Sequence, residues 1–198
     1  DAGKTYVTCL LLEALKREGK RAVGFKPFCC GDRMDAVHLH AASAGDELTL
    51  DEINPVWLKV PAAPYAAALM ENRTLDFHQI RAALDALSSR FETVLVEGAG
   101  GFYSPISRNW LNADLASRIA LPVIVVSPDR LGTINQTLLT IEAIRRRGLE
   151  VAGVILNSLS ADVDESMSTN SPEIEQRGNV SVWGRFPFLA PRQLQPAT

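Results

Sequence analysis

The chain has 198 residues, enough for one domain to bury its own core, and its 46% hydrophobic and 22% charged content is ordinary for a soluble globular chain. A net charge of −3 argues against an electrostatic nucleic-acid surface. No apolar run reaches the roughly 18 residues that a membrane span needs.

Gly3-Lys4-Thr5 comes first and has the form of the second half of a phosphate-binding loop. In such a loop backbone N–H groups cradle phosphate oxygens, the lysine reaches the β- and γ-phosphates, and the hydroxyl serves Mg²⁺. The loop's first glycine and its strand are expected upstream of Asp1. A helix is expected over residues 4–17, closed by Gly19. Residues 21–27 read as a strand ending at Lys26-Pro27, and residues 35–44 as a helix opened by Asp35. His38 and His40 are two apart and would point different ways on that helix, so they read as surface or capping residues. Cys9, Cys29 and Cys30 form no disulfide framework, since neighbouring cysteines rarely reach disulfide geometry, and a reducing cytoplasm suits them.

Further helices are expected at residues 76–90, 112–119 and 133–147, the last closed by Gly148. Further strands are expected at residues 93–97, 122–127, 151–156 and 180–183. Residues 158–172, rich in Ser and Asp and without a period, read as a loop. Trp57, Phe77 and Phe91 read as core. Alternating helices and strands point to an α/β fold, a mostly parallel sheet with helices on both faces. Ligands in such sheets bind outside the C-terminal strand ends. Those ends carry Lys26 to Gly31, Glu97 to Gly101, Ser127 to Gly132, and Asn157, all polar or glycine-rich.

Each end suggests chemistry. Glu97 stands at a strand tip before Gly98-Ala99-Gly100-Gly101. A carboxylate there suits Mg²⁺, which prefers oxygen ligands, and glycines let backbone approach a ligand closely. Lys26 could neutralise charge developing on a transferred phosphoryl group, or be a solubilising surface lysine. Asp35 is a third candidate oxygen ligand or merely an N-cap, with Asp32 its rival. Gly132-Thr133-Ile134-Asn135 opens a helix whose free N–H groups could take a carboxylate, or Thr133 could simply cap it.

Taken together these residues resemble the dethiobiotin synthetase family. The matching pieces, in the family's order, are Gly3-Lys4-Thr5, Gly24-Phe25-Lys26-Pro27 with Gly31, Asp35-Ala36, Ile53-Asn54-Pro55, Val96-Glu97-Gly98-Ala99-Gly100-Gly101, Leu121 to Val126, Leu131-Gly132 with Ile134-Asn135, and Ala152-Gly153 with Asn157. The resemblance implies a single P-loop NTPase-like ligase domain over residues 1–198. It implies ATP- and Mg²⁺-dependent carboxylation and ring closure of 7,8-diaminononanoate with CO₂, in a cytoplasmic homodimer with shared active sites. It implies that Lys4 and Lys26 are catalytic and hold the phosphates and the carbamate. Gly3, Lys4 and Thr5 would bind ATP, with Asn157 at the adenine edge helped by Phe186, Pro187 and Phe188. Thr5, Asp35 and Glu97 would hold Mg²⁺. Lys26, Cys30, Gly98 and the partner's helix start at Gly132, Thr133, Ile134 and Asn135 would bind the diamine. Two departures stand out: Cys30 occupies a place where serine is common, weakening a hydrogen bond to substrate, and the loop from Gly31 to Asp35 is short. Two alternatives share the motifs: a P-loop partitioning or metal-delivery ATPase, and a cobyrinate-synthase-like amidoligase domain.

Overall fold

The computed structural model describes residues 2–45, 47–163 and 165–188. The chain divides into two compact units, one of Lys4–Ala116 and one joining residues 1–3 to the chain from Ser117 onward. They are taken in turn.

In the first unit, α1 (Lys4–Arg17) buries Val7 and Leu12 and carries Lys16 and Arg17 in its last turn, where cations suit the helix dipole. Strand β1 (Ala22–Phe25) is buried at every position. Such a run needs cover on both faces, and α1 and α2 (Met34–Ala42) both pack against it. Gly24 makes that approach possible, because a Cβ there would lie 3.0 Å from Leu39 and 3.1 Å from Leu12. Strand β2 (Phe28–Cys30) follows at once. Helix α3 (Leu50–Ile53) is opened by a capping box between Thr49 and Glu52. Strand β3 (Val56–Leu58) pairs in parallel with β2, and β4 (Thr93–Val96) pairs in parallel with β1, placing Phe25 opposite Val96. Helices α4 (Pro64–Met70) and α5 (Phe77–Arg90) lie between β3 and β4, and Asp76 caps α5 by accepting from His78 N at 2.8 Å. The unit ends within α6 (Asn112–Ile119).

In the second unit, β5 (Val123–Pro128), β6 (Val151–Asn157) and β7 (Val182–Phe186) form a parallel sheet in that order. Helix α7 (Thr133–Arg146) packs on β5, β6 and α8 (Met167–Gly178), burying Ile141, Ile144 and Ile174. Apart from one isolated antiparallel bridge, Pro105 to Leu111, every ladder among the described residues is parallel.

The α/β reading therefore holds, with four corrections. The strand expected at 21–27 is shorter, Ala22–Phe25, and an unexpected strand, β2, follows it beyond Pro27 and pairs with β3 rather than with β4. The expected strand at 180–183 sits later, at Val182–Phe186. The expected loop at 158–172 gives way to α8 from Met167, with Pro172 inside the helix; Asp164 lies outside the described residues. Trp57 is not core: it is 39% exposed between buried Val56 and Leu58, on the outward face of β3.

Candidate functional site

In the Lys4–Ala116 unit, four elements bring charged ends together. Lys4 and Thr5 open α1, Lys26 follows β1, Asp35 stands in the first turn of α2, and Glu97 follows β4. Parallel pairing of β1 with β4 sets Lys26 and Glu97 side by side, one residue past the last paired positions. Lys26 Nζ donates to Glu97 Oε1 at 2.6 Å and to Asp35 Oδ2 at 2.7 Å. Thr5 Oγ1 donates to the same Glu97 oxygen at 2.7 Å. Lys26 is 3% and Glu97 4% exposed, so this is a buried ion cluster and not a solubilising lysine with a solvated turn carboxylate.

The electrostatics follow from that packing. Burial acts to lower the pKa of Lys26, but Glu97 and Asp35 overcome it and hold the ammonium above its usual range. Burial also works against the charge of Asp35, yet Lys26, aided by Thr5 and Lys4, holds its carboxyl below the usual range. For Lys4, burial and then the like charge of Lys26 lower the pKa, and the carboxylates offset this only in part. Two neighbouring ammonium groups, one short of compensating charge, are an arrangement that could take an anion. The cysteines are held toward the neutral thiol: burial pushes Cys9 up to about 12 and Cys29 up to about 11, and burial followed by the Glu71 charge raises Cys30.

The residues fit a divalent cation on one observation in particular. Glu97 Oε2 is buried and has no hydrogen-bond partner, an arrangement that needs an explanation in a native site. With Thr5 Oγ1 and the half-exposed carboxylate of Asp35 it gives an all-oxygen donor set. No group of three or more His, Cys, Asp or Glu that could hold a metal occurs among the described residues. Two carboxylates and a hydroxyl suit Mg²⁺, which keeps several waters and needs few protein ligands. Asp35 is not the N-cap of α2. Arg33 occupies that place, and Asp32 instead accepts from Met34 N at 3.1 Å. Of the two aspartates, Asp35 is the one that stands against Lys26.

The loop after Glu97 has its own support. Gly100 has φ +76, and a Cβ there would stand 2.5 Å from Ser104 Oγ, so a side chain is excluded twice over. Asn112 Nδ2 donates to Ala99 O at 2.5 Å and Gly101 O at 3.0 Å, which fixes the backbone that starts at Gly98. Cys30 ends β2, half-buried and within electrostatic reach of Lys26.

In the second unit, Asn157 ends β6 almost fully buried, and its Nδ2 donates to Ala2 O at 3.0 Å beside Gly3. Its Oδ1 is buried and unpartnered. Asp1 lies outside the described residues. Phe186 sits opposite Asn157 in the sheet, and Ser158 N donates to Phe186 O at 2.9 Å, while Phe188 is exposed. Gly132 is the left-handed N-cap of α7, with φ +91 and no side-chain cap. Thr133 does not cap the helix: it is 1% exposed, and its hydroxyl is buried without a partner. Ile134 is half-buried and Asn135 exposed. Asp129 and Asn170, both buried, form a polar knot near this strand end that the exposed Arg185 joins through Asp129. Neither this knot nor the hydrogen bonds made by Asn54 and Asn112 have a signal in the sequence. Buried asparagines and scattered ion pairs have no period, so only the fold reveals them.

The family described as AAA domain matches residues 1–195. A protein of Akkermansia muciniphila named ATP-dependent dethiobiotin synthetase BioD is 44% identical over 94% of this chain and 87% of its own length. The protein of that name from Aromatoleum aromaticum is 44% identical over 96% of this chain and 87% of its own. That from Methanococcus vannielii is 38% identical over 92% and 86%. Among solved structures, the septum site-determining protein MinD complexed with Mg-ADP, from Pyrococcus horikoshii, matches with a TM-score of 0.56 at 15% identity, over 94% of this chain and 76% of that one. A ParA family ATPase from Chlorobium tepidum matches with a TM-score of 0.55 at 11% identity, over 96% and 80%. At such identities these two structures show a shared P-loop α/β fold alone.

Proposed function

The chain belongs to the ATP-dependent dethiobiotin synthetase family, and from that premise we propose that it makes dethiobiotin from 7,8-diaminononanoate, CO₂ and ATP, releasing ADP and phosphate. The observation that carries the site assignment is the cluster of Lys26, Glu97, Asp35 and Thr5 beside Lys4. The 7-amino group of the substrate adds to CO₂ and loses a proton to give a carbamate. A carbamate oxygen attacks the γ-phosphorus, and the bond to the ADP oxygen breaks. The 8-amino nitrogen then attacks the carbamoyl carbon of the mixed anhydride, phosphate leaves, and the ureido ring closes.

Positioning and charge stabilisation are what such a transfer asks of a protein. An ammonium has three N–H donors. Two of Lys26's are held by Asp35 and Glu97, and the third is left for an anionic oxygen of the carbamate or the transferring phosphoryl group. Lys4, disfavoured as a cation beside Lys26, regains stability when the triphosphate arrives. When bound, Mg²⁺ supplies charge neutralisation on the phosphate oxygens, with Thr5, Asp35 and Glu97 as the residues that would hold it. Asn157 and the segment Phe186 to Phe188 would receive the base, Asn157 with its unpartnered Oδ1. Cys30 and Gly98 would line the diamine.

The chain works as a homodimer in the cytoplasm, with the α7 start at Gly132 to Asn135 of one copy taking the carboxylate tail of the diamine held by the other. No helix among the described residues is long and apolar enough to cross a membrane. The test is product analysis: purified protein with the diamine, bicarbonate, ATP and Mg²⁺ should form dethiobiotin, one per ADP. Absence of dethiobiotin with folded, ATP-binding protein would reject the reading. Within the site, Glu97→Gln should shift the Mg²⁺ titration of activity to higher concentration while the KM for the diamine holds, because the amide keeps the shape and loses the charge. An unchanged Mg²⁺ titration would make Glu97 a partner of Lys26 and Thr5 and not of the metal.

A further inference from the structure

Asn54 is fully buried at the end of α3, between two elements that carry the cluster. Its Nδ2 donates to Lys26 O at 2.8 Å and to Val56 O at 3.0 Å. Its Oδ1 accepts from Arg33 Nε at 2.8 Å. The peptide before Lys26 is held as well, since Lys26 N donates to Ile53 O at 2.8 Å. Lys26 thus has both its amide N–H and its carbonyl fixed by one short stretch of chain. Arg33 is tied there just as firmly. Its Nη2 donates to Asn54 O and to Asp51 Oδ1, each at 2.6 Å, and its guanidinium stands 5.5 Å over the Trp57 ring. Trp57 in turn donates from Nε1 to Gly31 O at 2.9 Å. Arg33 is the N-cap residue of α2, and Asp35 lies two residues on. Lys26 and Asp35 therefore meet at 2.7 Å across a bridge whose other side is the Asn54 amide and the Arg33 guanidinium.

We propose that Asn54 and Arg33 are positioning residues for the reaction: together they clamp the main chain of Lys26 to the start of α2, so that Lys26 Nζ, Asp35 and Glu97 keep one geometry through the turnover. The inference rests on the reading of Lys26 as the lysine that meets the carbamate. Neither clamp residue touches that group. Lys26 is buried and polar, and its two carboxylate partners stand on different elements, so the site needs a third tie to keep Asp35 from swinging into solvent, where half of its side chain already lies. A small misplacement of a positioning group costs up to the order of 10²-fold in rate.

Two variants separate the arms of the clamp. Asn54→Asp keeps the shape and the acceptor for Arg33 and removes both donors. Arg33→Met keeps a stem over Trp57 and removes every donor; Arg33 is near the surface, so this variant carries the test alone if the buried one does not fold. Folded protein of each is assayed in two ways. Competitive acetylation of the amines, read by mass spectrometry against Lys59, needs no substrate: Lys26 labelling should rise at least several-fold in both variants. In turnover, kcat for dethiobiotin should fall 10- to 100-fold while the KM for the diamine changes little, and Arg33→Lys should recover part of the loss. Unchanged Lys26 labelling and wild-type kcat in a folded Arg33→Met protein overturn the clamp, as does a loss of thermal stability with kcat intact. If the wild-type protein makes no dethiobiotin, the functional reading fails, and the labelling arm still decides whether the clamp exists.

Discussion

Lys4 and Lys26 face the same carboxylates and respond in opposite directions, and that difference is measurable. Lys26 pairs directly with Glu97 and Asp35, so its pKa rises. Its contribution to stability is complete below the ordinary lysine value and is lost only as pH climbs through the raised one. Asp35 is the mirror case: its pKa is lowered from 3.8, so its contribution is present above that value and lost as pH falls through the lower one. Between those limits the pair contributes steadily. Lys4 has a folded-state pKa below 10.5, so the folded protein binds its proton less well than the unfolded chain does. Keeping Lys4 charged costs stability at neutral pH, and that cost begins to fall as pH rises through the lowered value and is gone above 10.5. Lys4→Met should therefore unfold at a higher temperature than the parent at pH 7, with the gap narrowing toward alkaline pH. The same variant should lose activity by on the order of 10²-fold or more in kcat, the scale for loss of a preorganised charge-stabilising group. Melting curves over a pH series and steady-state kinetics check both halves. A variant less stable at pH 7, or one with near-normal kcat, would contradict this account of Lys4. The site was readable in sequence where a charge follows an apolar run. Lys26 after Ala22 to Phe25 and Glu97 after Thr93 to Val96 are such cases. Asn54 stands in the Ile53-Asn54-Pro55 match, but its hold on Lys26 has no sequence signal, because its amide meets partners 21 and 28 residues away.

At the scale of elements, length decided what the sequence could reveal. Helices α1, α5 and α7 are 14 residues each and stand within a residue of their expected bounds. Strands β2 and β3 are three residues each, too short for a period to register, and they are placed by pairing with each other and packing on α4. Trp57 shows the consequence: an aromatic on a strand too short to recognise reads as core, although Val56-Trp57-Leu58 has the alternation that turns its middle residue outward. Helix α8 begins in a Ser- and Asp-rich stretch without a helical period, and it contains Pro172, which normally stops a helix. Tertiary burial overrides it, since Asn170 and Ile174 are buried on either side. The proline lacks the N–H that would meet the carbonyl four residues back, and its ring crowds that carbonyl. Pro172→Ala should stabilise the protein by about 2 kcal/mol, the helix-interior penalty of proline less the entropy it removes from the unfolded chain. Chemical denaturation checks this; a destabilised variant would show that the proline fits its place and that the strain argument fails.

At the scale of the molecule, the proposed homodimer makes one claim that a single chain does not. If the α7 start serves the neighbouring copy, an inactive Lys4→Ala protein and an inactive Asn135→Ala protein should regain partial activity when mixed and allowed to exchange subunits. One of the two sites in a mixed dimer then has both groups intact. No recovery after demonstrated exchange would place both groups in the service of one chain's own site. The central claim concerns what the ATP is for. A partitioning ATPase of the same fold would hydrolyse ATP without the diamine, whereas a ligase spends it on the carbamate. The most direct measurement is the rate of ADP release with Mg²⁺-ATP alone, with bicarbonate added, and with bicarbonate and 7,8-diaminononanoate together. This account predicts slow release in the first two conditions and strong stimulation in the third, with a saturable dependence on the diamine that Lys26→Met abolishes. ADP release that proceeds equally in all three would contradict it.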